Sequence, residues 1–448
     1  AIFVRGGGGL TIIDSDFAGG SVTGGPRGDA AGAGLYLHDN TVAAFQVSGT
    51  ASVGNDIAGT GGLSKSGAGT LTLSGANTYT GGTTIAGGAL NIRNSSALGT
   101  GAVSVEAGAA LELQGTGNAP FPTNALTLNG SGVAGGGALR SISGVNIYDG
   151  PITLGSATRI NSDAGSLETN GAITGDGQTL TVGGAGAFIL SGGLNTGTGA
   201  LIKDGSGTLV LNGVNTFNGD VTVNAGALQL STFIGPANGA IGDNANLVLN
   251  GGVVSQFQNE TIGSLAGAAG TSYVLGYGSV LTTGGNNAST TFSGQIGGAG
   301  GLVKTGTGTL TLTGDSAFTG NTAIADGTLA LTDGGTVSNS DGMIAFGPGS
   351  VASVNVTGQG STWSSDKLFV GYDGAGELNV TGGGEVNSSD TATIGGWAGH
   401  GGTGKATVSG DGSIWNNSFS LNIGYQSMGE LTIASGGEVN QARGYVGS

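Results

Sequence analysis

The chain contains no cysteine in 448 residues. Disulfide staples and thiolate metal centres are therefore excluded, and the fold must rest on packing and hydrogen bonds. Histidine is nearly missing as well, with only His38 and His400. Positive charge is scarce: 11 Lys and Arg face 27 Asp and Glu, for a formal net charge of −16. So acidic a surface repels phosphate backbones and anionic lipid, which argues against nucleic acid as a partner. No apolar run approaches the roughly 18 residues a membrane helix needs. The opening residues, "AIFVRGGGGLTIIDSDF", lack the charged and then apolar regions of a signal peptide. They read as following a removed signal or as beginning inside a longer protein. Proline is rare, at 6, and charged residues make up only 8%. Hydrophobic residues nevertheless reach 37%, too many for a solvated disordered tail.

What is abundant is glycine, with 101 residues, about three times ordinary usage. It falls in a repeat. Blocks 63–92, 201–230 and 302–331 align without a gap. Each carries a lysine at its third position (Lys65, Lys203, Lys304), then an alternating "TLTL", "TLVL" or "TLTL". A turn glycine follows, then an aromatic (Tyr79, Phe217, Phe318) and a second strand centred on Ile85, Val223 or Ile324. Alternation of period two buries Leu and Ile on one face and shows Thr, Ser and Asn on the other. Glycine at the corners admits positive φ. Short strands and tight corners repeated in this way predict an all-β parallel β-solenoid, a single elongated rod whose coils of roughly 20–25 residues each rise by about 4.8 Å.

A second repeat occupies the C-terminal quarter. Segment 356–387 matches 408–440 with one residue inserted. Trp363 aligns with Trp415, Glu377 with Glu430, and Glu385 with Glu438. We therefore divide the chain into N-terminal coils (1–62), coils of the thirty-residue repeat (63–340) and coils of the Trp/Gly-rich repeat (341–448).

The stretch "KSGAGTLTLSGANTYTGGTTIAGGAL" resembles the passenger-associated repeat of bacterial autotransporters. The Trp-containing repeats and the opening "LTIIDSDFAGGSVTGG" are similar to further segments of such passengers. The resemblance implies a right-handed parallel β-helix, exported across a Gram-negative outer membrane to the cell surface or the medium. It also implies a C-terminal outer-membrane barrel lying outside this chain, whose amphipathic strands are not found in the sequence. It supplies no ligand, because scaffold does not fix function.

Candidate sites are few. "GDSAF" at 314–318 has the look of a serine-nucleophile signature, but Ser316 holds the repeat position of Asn77 and Asn215, and neither histidine is expected near it. Asp14 and Asp16 read as solvated turn carboxylates, not calcium ligands. Glu377, Glu430, Glu385 and Glu438 recur with the repeat, which suits a repeated surface role better than a single catalytic pair. No catalytic or metal residue and no cofactor is predicted. Arg27, Gly28 and Asp29 form an Arg-Gly-Asp triplet in a glycine-rich loop and resemble an integrin-recognition motif. Trp363 and Trp415 are expected to plug the core or a corner; exposed tryptophans would instead stack on sugar rings. Lys65, Lys203 and Lys304 are expected to lay their stems along the coil edge with the ammonium in water. The function expected is non-enzymatic adhesion to a host cell or abiotic surface. Self-association into aggregates or filaments is the alternative, and a polysaccharide-binding or hydrolytic passenger follows behind it.

Overall fold

The computed structural model describes residues 2–19, 34–115, 120–121, 123–231, 239–397 and 399–447. It forms two compact units, Ala1–Gly219 with Gly226–Leu228, and Asp220–Ala225 with Gln229–Ser448. Each is a parallel β-solenoid, and together they wind about 18 turns. The division falls inside the second thirty-residue repeat.

In the first unit, the repeat makes one and a half coils. Strand Gly62–Ser66 pairs with Thr83–Ile85, setting Leu63 on Thr83 and Lys65 on Ile85. Strand Thr70–Leu73 pairs with Gly88–Ile92, setting Leu71 on Leu90 and Leu73 on Ile92. All these pairings are parallel and in register, and in the second of them leucine stacks on leucine or isoleucine from coil to coil. Leu71, Leu73, Leu90 and Ile92 are completely buried, each contributing roughly 1.5–3 kcal/mol. Tyr79 is buried too, with its hydroxyl 2.6 Å from that of Thr83.

The corner glycines are obligatory where coils press together. Gly88 has φ of 63°, and a Cβ there would lie 2.2 Å from the Gly69 carbonyl oxygen and 2.5 Å from that of Gly67. No side chain fits that space.

The second unit repeats the scheme and then changes its filling. Strand Gly301–Lys304 pairs with Thr322–Ile324, and Thr309–Leu312 with Gly327–Leu331. Further on, the inward position alternates between large and small: Trp363 sits on Val386, Val386 on Trp415, and Trp415 on Val439. Both indoles are fully buried. Gly342 makes the room, since a Cβ there would lie 2.5 Å from the Trp363 ring. The second repeat is therefore a two-coil unit, one tryptophan coil and one valine coil.

Polar ladders run along the outward positions. Asn440 donates to Asn416 and Asn416 to Asn387, both at 3.0 Å. Asn379 donates to Asn355 at 3.1 Å. Stacked amides of this kind satisfy one another between coils.

Candidate functional site

The repeat lysines overturn the expectation of an ammonium in water. Lys65, Lys203 and Lys304 are 0%, 1% and 1% exposed. The Lys65 ammonium donates to the carbonyls of Ser66 and Gly67 at 3.0 Å and of Gly87 at 2.8 Å. Lys304 donates to Thr305, Gly306 and Asp326, at 2.7, 2.9 and 3.3 Å. Lys203 donates to Asp204 and Gly205, each at 2.8 Å. The cause is the corner itself. Gly67, Gly205 and Gly306 take positive φ, which turns successive carbonyls inward. Buried acceptors need donors, and one ammonium brings three. The sequence carried the signal: each lysine lies two residues after an inward leucine, so strand parity already points it inside. Burial lowers the pKa of Lys65 and Lys304 to about 8; for Lys304 the nearby Asp326 opposes this. Lys203 is lowered by burial, with Asp204 opposing and Arg159 adding.

Ser316 is also a scaffold residue. It is 1% exposed, and its hydroxyl accepts from the Ile296 amide at 3.1 Å. Asn77 does the same for Ile57 at 2.7 Å, and Asn215 for Leu194 at 2.8 Å. His38 lies 2.6 Å from Asp39, and His400 lies 2.7 Å from Asp373, with its ring tilted against that of Tyr372 at 4.2 Å. Asp14 and Asp16 hold a neighbouring coil and are more than solvated turn residues. Asp14 accepts from the Ser48 amide and hydroxyl at 2.6 and 2.7 Å, and Asp16 from those of Ser52 at 2.7 and 2.9 Å. Those bonds, the backbone one first, hold the Asp14 carboxyl below its ordinary pKa.

A carboxylate that sequence reasoning missed is Glu260, which is 3% exposed. It accepts from the Ala240 and Ile241 amides at 2.8 and 2.9 Å. Burial pushes its pKa up to about 8, against the pull of those two amides.

Two guanidinium groups of the first unit, those of Arg140 and Arg159, are held by carboxylates of neighbouring coils. Arg140 reaches Asp163 at 2.6 Å and Glu112 at 3.3 Å. Arg159 grips Asp204 with both terminal nitrogens, at 2.7 and 2.6 Å. Gly183 pairs with Asn161 beside this ion pair, and a Cβ there would meet the Arg159 guanidinium at 2.0 Å and the Asp204 carboxylate at 2.5 Å. Its bare backbone is the berth across which the arginine reaches.

Among the described residues, several surfaces of the second unit are open. The recurring carboxylates Glu377 and Glu430 flank Lys405, in the register Glu377–Lys405–Glu430. They border an open groove of about 710 Å³ with Val351 and Met428, which are 68% and 75% exposed. Phe346, Tyr372, Trp397 and Tyr425 line successive corners. Trp397 is half-buried, stacked on Tyr425 at 5.5 Å and edge-on to Phe369 at 5.6 Å. A polar trough of about 260 Å³ runs past Ser338, Ser364, Asn387 and Asn416. Glu385 lies next to it and accepts from Asn387 at 3.0 Å; Glu438 is two coils on, with Ile414 between. Arg27, Gly28 and Asp29 lie outside the described residues.

A parallel β-solenoid of lysine-cornered coils is the class of protein defined here. Within it, the Passenger-associated-transport-repeat model matches residues 63–92, 201–230 and 302–331. A curated relative, the "Adhesin BmaC autotransporter" of Brucella suis biovar 1 (strain 1330), is 31% identical over 390 residues, 71% of this chain. The match spans 11% of that relative's length. No solved structure matches. The chain is an autotransporter passenger built on passenger-associated repeats.

Proposed function

We propose that the chain is an adhesive, non-catalytic passenger displayed on or released from a bacterial surface. The observation that carries this reading is the 31% identity to an autotransporter named as an adhesin. The repeats supply an even surface of polar ladders on which contacts can be multiplied along the coils. We further propose host-cell or abiotic surfaces as the partner, with Arg27, Gly28 and Asp29 as one contact. The test is display of residues 1–448 on a non-adherent bacterium through a heterologous barrel. Attachment to epithelial cells or glass is expected above that of the barrel alone; equal attachment would sink the reading. Asp29→Glu lowers attachment to epithelial cells, but not to glass, if the triplet is in use.

One observation favours a second reading, self-association. The alternating Glu377–Lys405–Glu430 row beside exposed Val351 and Met428 is complementary to an inverted copy shifted by one coil. Clumping of the displaying cells without attachment to foreign surfaces would place self-association first.

A further inference from the structure

Four successive coils of the second unit present one outward sheet face. Its strands are Val351–Thr357, Ala375–Thr381, Thr403–Ser409 and Gly429–Ala434, paired in parallel and in register. Outward side chains therefore form columns along the coils. One column reads Ser353, Glu377, Lys405, Glu430. Beside it run Val351, Ala375 and Thr403, with Met428 one residue before Gly429. On its other side run Asn355, Asn379, Thr407 and Thr432. Lys405 turns to Glu430 at 3.5 Å, and Glu377 has no ion pair among the described residues. Val351 and Met428 hold exposed apolar side chains at either end of the open groove, with the small Ala375 and Thr403 between them.

We propose that this face docks on the same face of a second copy, about a two-fold axis parallel to the strands and midway between the Glu377 and Lys405 coils. The proposal rests on the self-association reading and gives it a site, a symmetry and a set of partners. Such an axis keeps the columns and inverts the order of the coils. It sets Glu377 on Lys405 of the second copy, Ser353 on Glu430, and Val351 on Met428, each contact occurring twice. It also sets Ala375 on Thr403, Asn355 on Thr432 and Asn379 on Thr407. The unpaired Glu377 gains a cation, and the exposed apolar side chains cover each other. Charge fixes the placement. An axis on the Lys405 coil would set Lys405 on Lys405 and Glu377 on Glu430, both repulsive. An axis between Lys405 and Glu430 would give Glu377 no cation among the described coils. The small Ala375 and Thr403 leave room in the groove for the long Glu377 and Lys405 side chains of the second copy. An added peptide strand would need a free sheet edge, and Ala375–Thr381 is paired on both sides. Strand length and coil rise make the face roughly 20 Å square. One such contact is weak, and many between two facing surfaces are strong. The inverted coil order suits copies that reach toward each other from two such surfaces.

The test is sedimentation equilibrium of purified residues 1–448 at concentrations reaching the millimolar range, at low and high salt. A reversible dimer is expected, weakened by salt. Glu377→Lys and Lys405→Glu should each weaken dimerisation by about tenfold or more, because like charges then meet. An equimolar mixture of the two variants should dimerise again, since each carries the charges the other lacks. Unchanged circular dichroism would show both folded. Because the chain has no cysteine, Val351→Cys and Met428→Cys each introduce a single thiol. A bismaleimide short enough to span the roughly 10 Å between stacked sheets should join one variant to the other and neither to itself. A monomer at every concentration, dimerisation that survives both charge variants, a mixture that stays monomeric, or self-linking of either thiol variant overturns the site. The site and the self-association reading fail separately. Displaying cells that clump equally with and without Lys405→Glu sink this face and keep the reading. A dimer with the expected pairing, from a chain whose displaying cells do not clump, keeps the face and sinks the reading.

Discussion

The coils of the thirty-residue repeat and those of the tryptophan repeat face one problem and answer it with different chemistry. A solenoid corner turns polar groups toward a core with no water to receive them. At Lys65 and Lys304 the groups are backbone carbonyls, and an ammonium on a long apolar stem reaches them. At Trp363 and Trp415 they are the side-chain oxygens of Asn339 and Ser388, and an indole N–H on a broad apolar ring reaches them. Both residues pair a large apolar body with a donor at the tip. The lysine version adds a buried charge and the tryptophan version adds volume. The two regions should therefore fail differently.

The largest effect is expected where volume was the answer. Trp363→Ala should cost about 3–5 kcal/mol and speed hydrogen exchange in strands Thr336–Ser338 and Glu385–Ser388, which flank it. The corresponding change in the other region is Lys304→Met. It keeps the stem and leaves three carbonyls unpaired, for about 2–3 kcal/mol, read as a lower denaturation midpoint. Lys304→Arg should not rescue it, because a planar fork cannot place three donors in so small a corner. If Lys304→Met proves neutral, the lysine is filler and the comparison breaks.

The pH dependence sharpens the contrast. The folded Lys65 and Lys304 release a proton at about 8, against an ordinary value of 10.5. Between those limits the unfolded chain binds more protons, so stability rises with pH across that window. Glu260 has the opposite sign. Its folded value of about 8 stands above the ordinary 4.5, so the folded chain holds the extra proton and stability falls as pH rises from 4.5 to 8. Urea midpoints followed across pH should show both limbs. Glu260→Gln should flatten the lower one, and Lys65→Met with Lys304→Met the upper. The smallest effect is expected at Gly183→Ala, which displaces the Arg159 guanidinium from a half-exposed pair, for about 1 kcal/mol or less.

Much of the architecture was legible because period and repeat both report on the coil. The alternation in "TLTL" gave the inward face, and the corner glycines gave the turns. Ser316 was readable as a structural residue from Asn77 and Asn215 at the same repeat position. The lysines were misread for a reason of chemistry: a rule about charge was allowed to outrank strand parity. Strand parity was correct, because the acceptors that make burial tolerable are backbone carbonyls that no side-chain pattern displays. The same blindness hid Glu260, whose partners are two amides. The pairing of Asp14 and Asp16 with Ser48 and Ser52 joins residues more than thirty positions apart, beyond the reach of local pattern.

The alternation of Trp363, Val386 and Trp415 also bears on inheritance. Excision of the valine coil would set indole directly on indole, and the core has no room for both. Duplication of that coil alone would leave a void where a ring belongs. Recombination can therefore lengthen or shorten this region only in whole pairs of coils, and its length descends in double steps.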